Sequence, residues 1–277
     1  MTPDRAHTIR QVLAVQALEL RKRFIGKRSI PVYLIALIPL MMFGARFLMI
    51  RVFHFAELDP PAHDRVVYAM LFRTLILRFV VYFGCVFVFV PLFRGDILDR
   101  SLHYYFLAPI RRQTLTLAKY LSGLTASLIL FNIVTATTWM IMNFTLGPAV
   151  LTEQLTSLHG LFELGGYLLV TTLACIGYGA VFITAGVFFK NPIVPAVVIL
   201  AWESINALLP PVLKKVSVIH YLESLCPVSI PPESGIAILA DPASPWVAIP
   251  GILGLAAVLL YLAMNKVRRL EILYGVE

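Results

Sequence analysis

Two aspartates, Asp96 and Asp99, stand three apart in the stretch FRGDILDRSLHYYFLAPIRRQTLTLAKYL, residues 93–121, and are the carboxylates best spaced for joint chemistry. On a helix, residues i and i+3 share a face, so the pair could bridge a divalent cation to a phosphate, as a membrane-embedded enzyme acting on a phosphate-bearing lipid would require. The same two residues also suit a helix start, where carboxylates are stabilised by the N-terminal dipole. A third carboxylate, Glu203, shares a helical face with Asn206 within an apolar run. A charge at mid-membrane costs about 2.5–3.5 kcal/mol on the insertion scale. Glu203 and Asn206 therefore belong either to a pathway or gate, or to an outer helix end where Glu203 reaches headgroup water or pairs with an Arg. No His-Glu-x-x-His, Gly-x-Ser-x-Gly or Cys-x-x-Cys pattern is present. The nearest approach to a phosphate-binding Gly-Lys-Ser/Thr turn is Gly26-Lys27-Arg28, with Arg21 where the first Gly belongs, so no nucleotide site is expected in this chain.

The elements that must position these residues are membrane helices. Of the 277 residues, 59% are hydrophobic and 14% charged, and the mean hydropathy is +0.85, outside the range of soluble domains. Apolar runs at 31–50, 74–93, 118–146, 161–189, 192–209 and 246–265 give six expected spans in one membrane domain, with 1–30 an amphipathic cytoplasmic segment, 31–265 the core and 266–277 a cytoplasmic tail. Long continuous runs without alternation exclude a β-barrel and make the class all-α. The fifth run carries Pro195, Trp202 and Glu203 and reads as a broken helix. A secondary transporter would ordinarily show paired broken helices in two related halves, and only this one is visible. Pro210-Pro211, then Pro227, Pro231 and Pro232, frame short outer-leaflet or re-entrant helices before the last span. Cys85, Cys175 and Cys226 lie far apart in sequence and offer neither a disulfide framework nor a metal-ligand spacing.

Charge sets the expected orientation. With the N-terminus inside, 16 Lys and Arg residues fall on the side of both termini and 7 on the other, which places the termini in the cytoplasm of a cell inner (plasma) membrane. The net charge of +8 then reflects topology and calls for no nucleic acid. On the outer side Arg46, Arg51, Arg65, Arg73 and Arg78 either snorkel to phosphates or form a cationic rim for an anionic lipid or glycan headgroup. Before the first span Ile9, Val12, Leu13, Leu20 and Phe24 recur at helical spacing among Arg10, Glu19, Arg21 and Arg23, as in a helix lying in the cytoplasmic interface or a plain basic anchor.

The stretch 93–121 then connects the second and third spans on the cytoplasmic side. Leu98, Leu102, Tyr105 and Phe106 share one face of a short helix and Asp96, Asp99, Arg100 and His103 the other. Pro109 ends that helix, and Arg111 and Arg112 mark the membrane boundary. The expected product is an elbow that a soluble partner can grip, or an amphipathic loop resting on the bilayer.

Two motifs resemble the type-2 ABC transporter permeases, the membrane subunits of ATP-driven exporters: DILDRSLHYYFLAPIRRQTLTLAKYLSG, with an acidic turn, a leucine-rich helix, Pro plus a basic pair and a Lys opening the third span, and WESINALLPPVLKKVSVIHYLESLCPVSIPP, residues 202–232, before the last span. The resemblance covers most of the chain. It implies a coupling helix at about residues 96–107, in which Asp96, Asp99, Leu102, Phe106, Leu107, Pro109, Arg111 and Arg112 engage a separate ATPase subunit. It further implies ATP and Mg on that partner, no cofactor in this chain, and a second permease copy or homologue completing the path for a lipid, glycan or other amphipathic substrate.

Overall fold

The computed structural model describes residues 12–13, 15–20, 26, 29–54, 61–99, 105, 107, 111–205, 210–228 and 243–269. Among these, 89% is helical and none is strand, the arrangement that satisfies backbone polar groups within each segment in lipid. In chain order the helices are α1 (Ile30–Val52), α2 (His63–Leu92), α3 (Arg112–Leu146), α4 (Pro148–Thr156), α5 (Leu158–Phe188), α6 (Ile193–Ser204), α7 (Pro211–Lys214), α8 (Val218–Ser224) and α9 (Pro245–Arg268). Five of them, α1, α2, α3, α5 and α9, are long and apolar enough to cross a membrane. The protein is an all-α, multi-pass, membrane-embedded chain.

Four of these helices follow the apolar runs closely, while α2 begins well before residue 74, with helical backbone from Pro61. His63, Asp64, Arg65 and Arg73 had lowered the hydropathy there, and the fold offsets the charges with partners from other helices. In the expected fifth span only the 12 residues of α6 are helical up to Ser204, about 18 Å at 1.5 Å per residue against a hydrocarbon core of about 30 Å. Residues 206–209 lie outside the described residues.

The core is centred on α5, whose apolar window is 67% buried, against 22% for α1 and for α9. Phe72, Ile76, Leu77, Tyr82, Cys85 and Phe89 of α2 meet Tyr167, Tyr178 and Phe182 of α5, with Phe131 of α3 closing the layer. Tyr82 stacks edge-on against both Tyr178 and Phe182, at 5.1 and 5.0 Å between ring centroids, geometry that adds about 0.5–1.5 kcal/mol to the area buried. In lipid such packing, rather than water exclusion, holds helices together. The fold also brings Cys85 and Cys175 together as buried free thiols across α2 and α5, although they stand 90 positions apart.

Helical residues 15–20 precede α1, and Val15 packs on Leu115 and Ala118 at the start of α3. The expected polar face is corrected at Glu19, which is 2% exposed and turns inward.

Candidate functional site

The apolar stretch that follows α5 folds back along it in two pieces. The backbone turns at 189–192, and α6 starts with Pro195 in its first turn, where no intrahelical N–H is lost. Tyr82 donates a hydrogen bond to the Ala196 carbonyl at 2.6 Å, and the Tyr178 hydroxyl donates to Oε2 of Glu203. Helix α6 therefore covers α5 from Phe188 back to Tyr178. After Pro210-Pro211 and α7, helix α8 continues in the same direction: a Cβ on Gly177 would stand 2.9 Å from the Val218 side chain, and one on Gly166 would stand 3.0 Å from Pro227. Those two glycines of α5 form the bed on which α8 and the residues after it lie.

Glu203 sits at the junction of the pieces. It is 6% exposed, and its Oε1 accepts the Val218 backbone N–H at 3.1 Å. The carboxylate thus caps the first turn of α8 with one oxygen and takes the Tyr178 hydroxyl with the other. A buried N–H and a buried phenol without acceptors would each cost about 1–3 kcal/mol. The expectation that Glu203 reaches headgroup water or pairs with an Arg is corrected: its partners are a phenol and a backbone amide, deep in the bundle. Asn206 lies outside the described residues.

Helix α2 grips the far end of this broken segment. Its middle, Phe72–Val81, is π-helical. Arg73 and Arg78 stand five apart, about 140° around an α-helix, and i→i+5 winding brings them nearer one line. Arg78 pairs with Glu223 of α8 at 2.6 Å, and Arg73 donates to the Val228 carbonyl at 2.8 Å. Intramembrane charges of this kind are placed where a partner compensates them.

The arginines read from the sequence as snorkelling to phosphates or forming a cationic rim find partners in the same terms. Besides Arg73 and Arg78, Arg46 pairs with buried Asp64 at 2.5 Å and donates to Met142 Sδ, Arg51 donates to the Thr145 carbonyl at 2.7 Å, and Arg65 pairs with Glu163. These guanidiniums staple helices together instead of presenting a shared positive surface. Arg51 is exposed and the other four are only partly so, and carboxylates and carbonyls satisfy them at lower desolvation cost than bare burial.

At the opposite ends of the helices lies the elbow. A helical segment, Pro91–Leu98, prolongs α2 and carries Asp96. Lys119 of α3, fully buried, donates to Asp96 Oδ2 at 2.5 Å and to Glu19 Oε1 at 2.8 Å. Tyr105 donates to the same Glu19 oxygen at 2.9 Å and places its ring 4.5 Å from the Lys119 ammonium. Burial and the adjacent Glu19 carboxylate push the Tyr105 phenol well above its usual range. One ammonium thus ties four separate pieces of chain: the N-terminal segment, the end of α2, the elbow and α3.

Asp96 is therefore corrected from an outward-facing charge to an inward one. Asp99, Leu98 and Leu107 remain exposed, the last at 80%. Arg111 is exposed, and Arg112 donates to the Arg268 carbonyl at the end of α9 at 3.2 Å. Leu102, Phe106 and Pro109 lie outside the described residues. Sequence reasoning missed Lys119, Glu19, Tyr178 and the Arg78–Glu223 pair. Lys119 carried a legible signal, since an ammonium eight residues into a long apolar helix must find a partner. The partners themselves are 23 and 100 positions away and leave no local trace.

Asp96 is neutralised by an ammonium and Asp99 faces outward, so the pair does not converge on a metal. Among the described residues no group of three His, Cys, Asp or Glu side chains could hold a metal ion. No protein-family model matches this chain, and neither a curated protein nor a solved structure matches it.

Proposed function

We propose that this chain is the membrane-spanning permease subunit of an ATP-driven transporter of the type-2 ABC kind, exporting a lipid, glycan or other amphipathic substrate. The observation that carries the reading is the Lys119 tie. It fixes the inner side of the elbow to α3 and to the N-terminal segment by charged hydrogen bonds, while Leu98 and Leu107 stay exposed beside it. An ATPase subunit gripping the exposed side would move a lever whose other side is fastened to the bundle. The enzyme alternative needs both Asp96 and Asp99 on one metal, which the Lys119 pairing opposes.

The broken segment supports the same reading. From Phe188 to Gly166 the two pieces run along about 33 Å of α5, the thickness of the hydrocarbon core. In this proposal α6 and α8 together make the sixth crossing, which returns both termini to the cytoplasmic face, and their junction at Glu203 is the element that yields when the path opens. A second copy or a homologue completes the path, and the membrane is the cell inner membrane.

The test is co-purification from the native membrane. The chain should bring down a subunit that hydrolyses ATP, and Leu107→Asp should remove that subunit while leaving the chain inserted. Undiminished recovery of the ATPase with Leu107→Asp, or recovery of no ATP-hydrolysing partner at all, refutes the reading.

A further inference from the structure

A separate site lies at the membrane face opposite the elbow, where α2 begins, α3 ends and α5 begins. A small cleft there is lined by Asp64, Arg65, Tyr68, Trp139, Met142, Asn143, Leu146 and Glu163. The donors around it are already used. Arg46 gives its hydrogen bonds to Asp64 Oδ1 and Met142 Sδ, Arg65 gives two bonds to Glu163 Oε2 and a third to His159, and the Asn143 amide is spent on the Trp139 carbonyl at 2.9 Å. Acceptors are left over. Asp64 is 1% exposed, yet its Oδ2 has no hydrogen-bond partner among the described residues, and Glu163 Oε1 and Asn143 Oδ1 receive none of these bonds.

A carboxylate oxygen buried without a donor costs about 1–3 kcal/mol or more, and proteins retain such a group where something else satisfies it. We propose that the cleft binds a primary ammonium group. An ammonium brings three donors and no acceptor: one N–H answers the buried Asp64 Oδ2 that no described residue meets, and Glu163 and Asn143 on the same lining offer further acceptor oxygens. Both carboxylates already carry a guanidinium partner, so the ammonium is drawn to the unpaired Asp64 oxygen and to the aromatic faces of Trp139 and Tyr68. The cleft is too small for a whole ligand, so it takes the tip of an amine, carried by a lipid headgroup such as ethanolamine or by a soluble amine. The site does not depend on the transport reading, since every residue in it belongs to a single chain.

Trp139 lines the cleft and supplies the signal. In the purified full chain with Trp202 and Trp246 replaced by Phe, Trp139 is the only tryptophan of the three in the sequence. In phosphatidylcholine nanodiscs, ethanolamine should change Trp139 emission saturably, while choline, which has no N–H to donate, and glycerol should not. Asn143→Leu, which leaves the Arg46 and Arg65 ion pairs in place, should weaken the response about tenfold or more. Asp64→Asn should do the same if it folds. In phosphatidylethanolamine nanodiscs, a shift present before any titration identifies the lipid as the source, and its absence there identifies a soluble amine. No saturable response to ethanolamine in phosphatidylcholine, an equal response to choline or glycerol, or an undiminished response in Asn143→Leu overturns the proposal.

Discussion

Replacing Lys119 by Met keeps length and removes the ammonium that two carboxylates share. The side chain is 0% exposed, Glu19 3% and Asp96 10%, so solvent screens little of the interaction. Breaking a buried pair by deleting one partner costs about 3–5 kcal/mol, because the remaining charges stay buried and uncompensated. Here two carboxylates are stranded together, which places Lys119→Met at the upper end of that range, with like-charge repulsion adding to it. At about 2–4 °C per kcal/mol for a chain of this size class, the unfolding midpoint should fall by roughly 10 °C or more. The triple variant Lys119→Met, Glu19→Gln, Asp96→Asn removes all three charges and should recover most of the loss, since well-packed neutral replacements of buried ion pairs are often neutral or stabilising. The assay is thermal unfolding of the purified chain in one detergent, with limited proteolysis ahead of Ile30 as a second readout, because Glu19 holds the N-terminal segment. A Lys119→Met midpoint equal to the parent, or a triple variant no better than the single one, would show that the tie does not hold these pieces together.

Glu203→Gln can satisfy only one of its two donors, Tyr178 or the Val218 amide, and should destabilise by about 1–3 kcal/mol; adding Tyr178→Phe should return part of that in thermal unfolding, and a double variant worse than the sum would contradict the geometry. In reconstituted protein with its ATPase, Glu203→Gln should also alter substrate-stimulated hydrolysis, and unchanged hydrolysis at equal abundance argues against a role in opening. Arg78→Gln and Glu223→Gln should show a coupling of about 1 kcal/mol or less in a double-mutant cycle, because both side chains are about one-third exposed. Gly177→Leu must displace Val218 and should cost about 1–3 kcal/mol by overpacking, read as a lowered midpoint. For orientation, a cysteine introduced at Glu153 or Ser244 should react with an impermeant reagent in intact cells and one at Arg111 should not, and the reverse pattern would invert the assignment.

Apolar run length alone determined that this is an all-α membrane chain, and it located α1, α3, α5 and α9 to within a few residues, because crossing lipid requires about 20 apolar residues in one helix. Proline at 210 and 211 likewise announced the break, since neither can continue a preceding helix, whereas Pro195 sits in the first turn of α6, where no donor is lost. The elbow's place between α2 and α3 was legible for the same local reason.

Partnership was not legible, because it is decided across the bundle. The sequence left Arg46, Arg51, Arg73 and Arg78 either to snorkel to phosphates or to form an outer rim, and only the fold shows them spent on Asp64, Thr145, Val228 and Glu223. Periodicity put Glu19 and Asp96 on polar faces, whereas packing turned both toward Lys119. Glu203 announced a cost in the sequence, but its remedy lay 25 residues back at Tyr178 and 15 ahead at Val218. A helix periodicity specifies which residues share a face. Which neighbour that face meets depends on contacts between distant segments, and in lipid the charges are settled by those contacts, because no water is there to settle them otherwise.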